Sequence, residues 1–177
     1  SLRRFNALFA QRYGMAPGAL RRASGEESTA RDENAPALLT LRLAYRPPFD
    51  WDGMLRYLAP RVIPGVEAVE LDAATPAYLR SVRLGAVQGW LRVTQLAQRQ
   101  QLALDIAPEL AAELMPLAAR VRAQFDLDAN PHAVVTHLGA DPLLAPTLDA
   151  HPGLRVPGAF DAFELALRAL LGQQVSV

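Results

Sequence analysis

The chain has 177 residues, the size of one domain with attached pieces of others, and 51% of them are hydrophobic, enough for a packed core and too many for a disordered chain. Its 18 basic residues, all arginine, balance 18 acidic ones, which argues against a surface that coats DNA along its whole length. The absence of cysteine rules out a disulfide framework, a thiolate metal site and a cysteine nucleophile, and no apolar run approaches the roughly 18 residues of a membrane span.

Charge is unevenly placed. Residues 1–22 hold Arg3, Arg4, Arg12, Arg21 and Arg22 and no acid, whereas residues 23–36 set Glu26, Glu27, Asp32 and Glu33 against Arg31. The first segment suits either phosphate contact or a solvated helix face. The opening Ser1-Leu2-Arg3-Arg4 lacks the apolar stretch of a secretion signal, so a cytoplasmic protein is expected. Ser1 can cap a helix with Phe5, Leu8 and Phe9 on one face, ended by Gly14 and Pro17. That piece is too short to bury a core of its own. The small polar residues of 23–36 read as a linker.

Leu39, Leu41 and Leu43 alternate with polar or small residues and predict a half-buried strand, stopped by Pro47-Pro48. Asp50 can cap a short helix carrying Trp51, Met54, Leu55 and Leu58. Strands are predicted over 66–71, 79–84, 87–96 and 102–106, with a turn at Gly85. Leu110, Leu114, Leu117, Val121 and Phe125 predict one long amphipathic helix, broken by residues 126–131. Short helical stretches follow around 134–138 and 142–148, then a turn at Pro157-Gly158. A last helix would place Phe160, Phe163, Leu167, Leu170 and Leu171 on one face. It reaches Val177 without a cap or stop signal, so the natural protein is expected to continue. Strands first and helices later define an α+β class with an antiparallel sheet, and there are no internal repeats.

Two stretches carry a family likeness. Arg46-Pro47-Pro48-Phe49-Asp50-Trp51, followed by Met54-Leu55 and Tyr57-Leu58, resembles the opening of the DNA-3-methyladenine glycosylase II (AlkA) amino-terminal domain. The run from Pro152 to Gly158, then Asp161-Ala162-Phe163-Glu164 and Leu171-Gly172-Gln173-Gln174-Val175-Ser176-Val177, resembles the join to the helical glycosylase domain. Phe125-Asp126-Leu127 and Asn130-Pro131 fit between them in order and spacing. Residues 1–22 are similar to the second half of the trailing helix-turn-helix of AraC-type regulators, as in Ada-type alkylation-response proteins; Leu20 stands where that family usually has an aromatic.

The resemblance implies a partial helix-turn-helix over 1–22, a linker over 23–36, an α+β domain over 37–150 like half of a TATA-binding-protein fold, and the start of a helix-hairpin-helix domain over 151–177. It implies hydrolysis of the N-glycosidic bond of an alkylated base flipped from double-stranded DNA, without cofactor, metal or membrane, by a monomer. The family's catalytic carboxylate is an Asp after the hairpin motif, beyond residue 177, so no catalytic residue is assigned and the fragment alone should be inactive. Tyr57 falls where the family sets an aromatic against the base pocket, and Gln173, Gln174 and Ser176 where it probes the duplex. Arg3, Arg4 and Asn6 lie on the outward face of the first helix, where a complete helix-turn-helix meets DNA. The alternatives are a sequence-specific regulator with the α+β part as an accessory module, and a scaffold domain alone.

Asp161, in the first turn of the last helix, reads as a cap rather than a catalytic group. Trp51 and Trp90 read as core. His132, His137 and His151 lack the spacing of a helical metal pair.

Overall fold

The computed structural model describes residues 38–174, the side chain of Gln174 excepted. The expected partial helix-turn-helix over 1–22 and linker over 23–36 lie outside the described residues. Along the chain run β1 (Leu39–Ala44), α1 (Trp51–Leu58), β2 (Glu67–Glu70), β3 (Ala77–Leu84), β4 (Val87–Leu96), β5 (Gln101–Ile106), α2 (Leu114–Gln124), α3 (Pro131–Leu138), α4 (Ala145–Ala150) and α5 (Ala162–Gln174). The strands form one sheet of order β1-β5-β4-β3-β2, antiparallel throughout. The α+β expectation is met.

Register explains the core. One rung crosses the whole sheet as Leu41, Leu104, Val93, Tyr78 and Val69. The rung beside it runs Leu39, Ile106 and Leu91 and then changes character, ending in Arg80 and Glu67. α1 and α2 supply Trp51, Met54, Leu55, Leu117 and Val121 to the same buried cluster. Phe125 ties these layers together, with ring centroids 5.2 Å from Trp51 and 5.5 Å from Tyr78. Each fully buried Leu or Phe contributes about 1.5–3 kcal/mol relative to an exposed one.

The local signals act as their chemistry dictates. Asp50 Oδ1 accepts from the Gly53 amide at 2.8 Å and starts α1. Asn130 Oδ1 accepts from Ala133 N and starts α3. Gly85, with a φ of 61°, turns β3 into β4.

Four expectations need correction. The Leu110–Phe125 stretch keeps its buried face, but it is a 3-10 turn over Pro108–Glu113 followed by α2. Pro116 has no N–H and its ring crowds the carbonyl four residues earlier, so it is tolerated in the first turn of α2 but not inside a helix continuous from Leu110. The stretch around 142–148 becomes helical only from Ala145, because Asp141 Oδ1 captures the Leu143 amide at 2.8 Å and holds a turn. Trp90 is not core but 42% exposed: Leu91 and Val93 take the inward phase of β4 and turn Trp90 outward. Phe160 does not share a helical face with Phe163, Leu167, Leu170 and Leu171; it is buried ahead of α5, while those four are exposed on it.

Candidate functional site

Residues 151–160 form a strap that lays the chain back over the domain and aims α5. At Gly153, with a φ of 85°, a Cβ would sit 2.7 Å from the Phe49 amide nitrogen, and the Gly153 carbonyl accepts from Asp50 N at 3.0 Å. At Gly158 a Cβ would sit 2.4 Å from the Ala123 carbonyl oxygen, and Gly158 N donates to Gln124 O at 2.8 Å. Between them the buried Arg155 donates to the carbonyls of Asp126, Arg46 and Pro48 and lies against the Phe49 ring. Burial pushes its pKa below the ordinary arginine value. The Pro152–Gly158 motif thus consists of two close backbone approaches and a guanidinium that gathers three loop carbonyls.

Beneath the strap, Tyr57 is half exposed and edges a cleft of about 280 Å³ with Gly53, Met54, Leu154, Val156 and Pro157. One face of its ring is occupied: the Arg61 guanidinium lies 3.9 Å from the ring centroid and donates to the Tyr57 carbonyl. Tyr57 therefore already holds a cation on an aromatic face, an interaction worth about 0.5–1 kcal/mol at an exposed site.

A second cluster lies where α5 meets the sheet. Glu67 Oε1 accepts from the Tyr78 hydroxyl at 2.6 Å and from Arg80 at 2.8 Å, and Glu67 Oε2 accepts from Ile63 N at 2.9 Å. Arg80, 4% exposed, turns its other terminal nitrogen to both oxygens of Glu164 on α5 and stacks on Phe160 at 4.3 Å. Burial opposes the charge on Arg80, but its bonds to Glu164 and Tyr78 outweigh that and raise its pKa. Burial and the Glu67 carboxylate likewise push the Tyr78 phenol up. Arg168, one turn beyond Glu164, donates to the Arg61 carbonyl and approaches Glu67 at 3.9 Å. Sequence reasoning missed this cluster. The signal was present: Glu67 and Arg80 occupy the phase of β2 and β3 that Val69, Tyr78 and Val82 give to the core.

Asp161 is the cap of α5, its Oδ1 accepting from the amides of Phe163 at 2.9 Å and Glu164 at 3.1 Å while its Oδ2 accepts from Arg120 at 3.4 Å. The Glu164 amide above all holds its carboxyl below the usual range. Trp51 is core and bonds the Pro76 carbonyl. His132, His137 and His151 are exposed. Gln173 is exposed near the end of α5, and Gln174 is the last residue of that helix. Ser176, Arg3, Arg4 and Asn6 lie outside the described residues.

An open five-stranded antiparallel sheet packed with helices places the domain in the α+β class. The chain belongs to the AlkA N-terminal domain family, which it matches over residues 40–161. It is 37% identical to the probable bifunctional transcriptional activator/DNA repair enzyme AlkA of Mycobacterium tuberculosis (strain ATCC 25618 / H37Rv) over 99% of its length, which is 34% of that relative. It is also 37% identical to DNA-3-methyladenine glycosylase 2 of Escherichia coli (strain K12) over 76% of its length, 44% of that protein. The chain thus spans between a third and a half of the relatives it matches.

Proposed function

We propose that these residues belong to a base-excision-repair glycosylase that hydrolyses the N-glycosidic bond of alkylated bases in double-stranded DNA, in one polypeptide with an alkylation-response regulator. What carries the reading is the extent of the match. Nearly the whole chain, residues before the α+β domain included, aligns with a relative whose name joins a transcriptional activator to a DNA repair enzyme. The domain plan is that of the sequence: helix-turn-helix remnant over 1–22, linker over 23–36, α+β domain over 37–150, start of the glycosylase domain from 151. The protein would work as a cytoplasmic monomer.

In this reading the target base leaves the stack at a cost of a few kcal/mol, Gln174 stands beside the gap it leaves, and Gln173 and Ser176 contact the duplex. Tyr57 offers an aromatic face to a methylated, positively charged purine, a task consistent with the cation it holds in this structure. As the base departs, the sugar gains oxocarbenium character, which a carboxylate supplied after residue 177 would stabilise. Arg3, Arg4 and Asn6 are assigned to DNA contact by the regulator segment.

The test is single-turnover excision by the complete protein on one charged and one neutral lesion. Gln174→Ala should lose about 1–2 kcal/mol on both, the scale of supporting an unstacked site. Tyr57→Ala should lose more on the charged base. Equal losses on both lesions reduce Tyr57 to packing, and no excision by the unmodified protein ends the reading.

A further inference from the structure

Helix α5 is docked by its charged face. Glu164 and Arg168, four residues apart and so on one side of the helix, meet the domain at Arg80, Glu67 and the Arg61 carbonyl. Phe163, Leu167, Leu170 and Leu171 point to solvent instead. Apolar docking tolerates rotation and sliding, because burial has no direction. A planar guanidinium shared between two carboxylates does not, since its fork fixes distance and angle together.

Glu67 is the anchor of this arrangement. It is held by the Tyr78 hydroxyl and the Ile63 amide within the domain, so the Arg80 that it orients starts from a fixed point. The same face of α5 reaches the end of α1 through the Arg168 bond to the Arg61 carbonyl, and the Arg61 guanidinium rests on Tyr57. A continuous set of contacts therefore runs from Tyr57 through Arg61, Arg168, Glu67 and Arg80 to Glu164.

We propose that Arg80, Glu67 and Glu164 form a positioning clamp that sets the angle of α5 relative to Tyr57, and thereby where Gln173 and Gln174 meet DNA. The role in excision rests on the glycosylase reading; the clamp itself does not. Gln173 lies nine residues past Glu164, about 13 Å along the axis. A tilt of only about 6° at the clamp carries it more than 1 Å, a displacement large enough to cost up to about 100-fold in rate.

The test uses the 177-residue chain, whose lack of cysteine leaves it free for two introduced labels. Spin labels at Arg56→Cys on α1 and Ala169→Cys on α5, both exposed positions, report the distance between the helices. The unmodified clamp should give one narrow distance distribution; Arg80→Met and Glu164→Ala should each broaden it at least about twofold as α5 samples other angles. Glu164→Ala leaves the Arg80–Glu67 pair in place, so it reads the clamp even where Arg80→Met fails to fold. A distribution as narrow as the original in Glu164→Ala overturns the proposal.

In the complete protein, Glu164→Ala should lower the single-turnover excision rate about tenfold or more while changing DNA affinity less than about twofold, the mark of misplacement rather than lost binding. Rate and affinity falling together, or neither falling, removes the role in excision. Absence of excision by the unmodified protein would instead sink the glycosylase reading and leave the distance measurement standing.

Discussion

Glu67 and Arg80 face each other directly across the β2–β3 ladder, and their side chains close an ion pair of 2.8 Å with both ends less than a tenth exposed. An apolar rung that begins at Leu39 thus finishes in a pair of charges. Such a pair is weak evidence for stability, because the two charges must leave water, but it is costly to break on one side only.

Glu67→Ala should therefore be strongly destabilising. It would remove the acceptor of Tyr78, Ile63 N and part of Arg80 at once. Urea unfolding should show a loss of about 3–5 kcal/mol, with Glu67→Gln losing less because an acceptor remains. A loss below about 1 kcal/mol for Glu67→Ala would mean that water replaces the carboxylate at little cost.

Two glycines separate backbone strain from close approach. Gly65 and Gly153 have similar φ values, 80° and 85°, yet a Cβ at Gly65 meets nothing within 4 Å while one at Gly153 collides with the Pro48–Asp50 backbone. Gly65→Ala should cost about 1–2 kcal/mol, the left-handed penalty alone. Gly153→Ala should cost clearly more, since the strap must lift. Equal midpoints in urea for the two variants would show that the strap yields freely.

Acid should weaken the start of α5 through Asp161. Its carboxyl titrates below the usual value when folded, so between the two values the unfolded chain binds the proton and the folded chain does not. The stabilisation is complete above about pH 4, the unfolded value, and is lost as pH falls through the lower, folded value. Asp161→Asn keeps a capping oxygen and should flatten this acid limb, whereas Asp161→Ala should cost about 1 kcal/mol at neutral pH. Thermal unfolding between pH 2 and 7 compares them, and an unchanged acid limb in Asp161→Asn would assign it to other carboxylates.

The two tryptophans should differ sharply. Trp51 is buried against Phe125 and Trp90 is exposed. Trp90→Phe should leave a single blue-shifted emission that iodide barely quenches, with stability changed by less than about 0.5 kcal/mol. Trp51→Ala should cost about 3–5 kcal/mol. Strong quenching in the Trp90→Phe chain would contradict the placement of Trp51.

Much of this protein is written locally. Period-two alternation located β1 and the meander that follows it, because a strand must turn one face to the core. Asp50 and Asp161 announced helix starts because a short acceptor satisfies amides that have no other partner. The order of uncommon motifs pointed to the family, and the strap explains one of them, since Gly153, Arg155 and Gly158 are each demanded by neighbours they touch. What the sequence could not fix was which neighbour answers a residue that breaks its own pattern. Arg80 is paired with a partner 13 residues before it and another 84 residues after it, and neither spacing has a local signature. Trp90 went outward because Leu91 and Val93 had already claimed the inward phase. On α5 it is the face carrying Glu164 and Arg168 that meets the buried charges of the sheet. Local periodicity determines which residues share a face; only the assembled core decides which face is turned inward and which charges it can satisfy there.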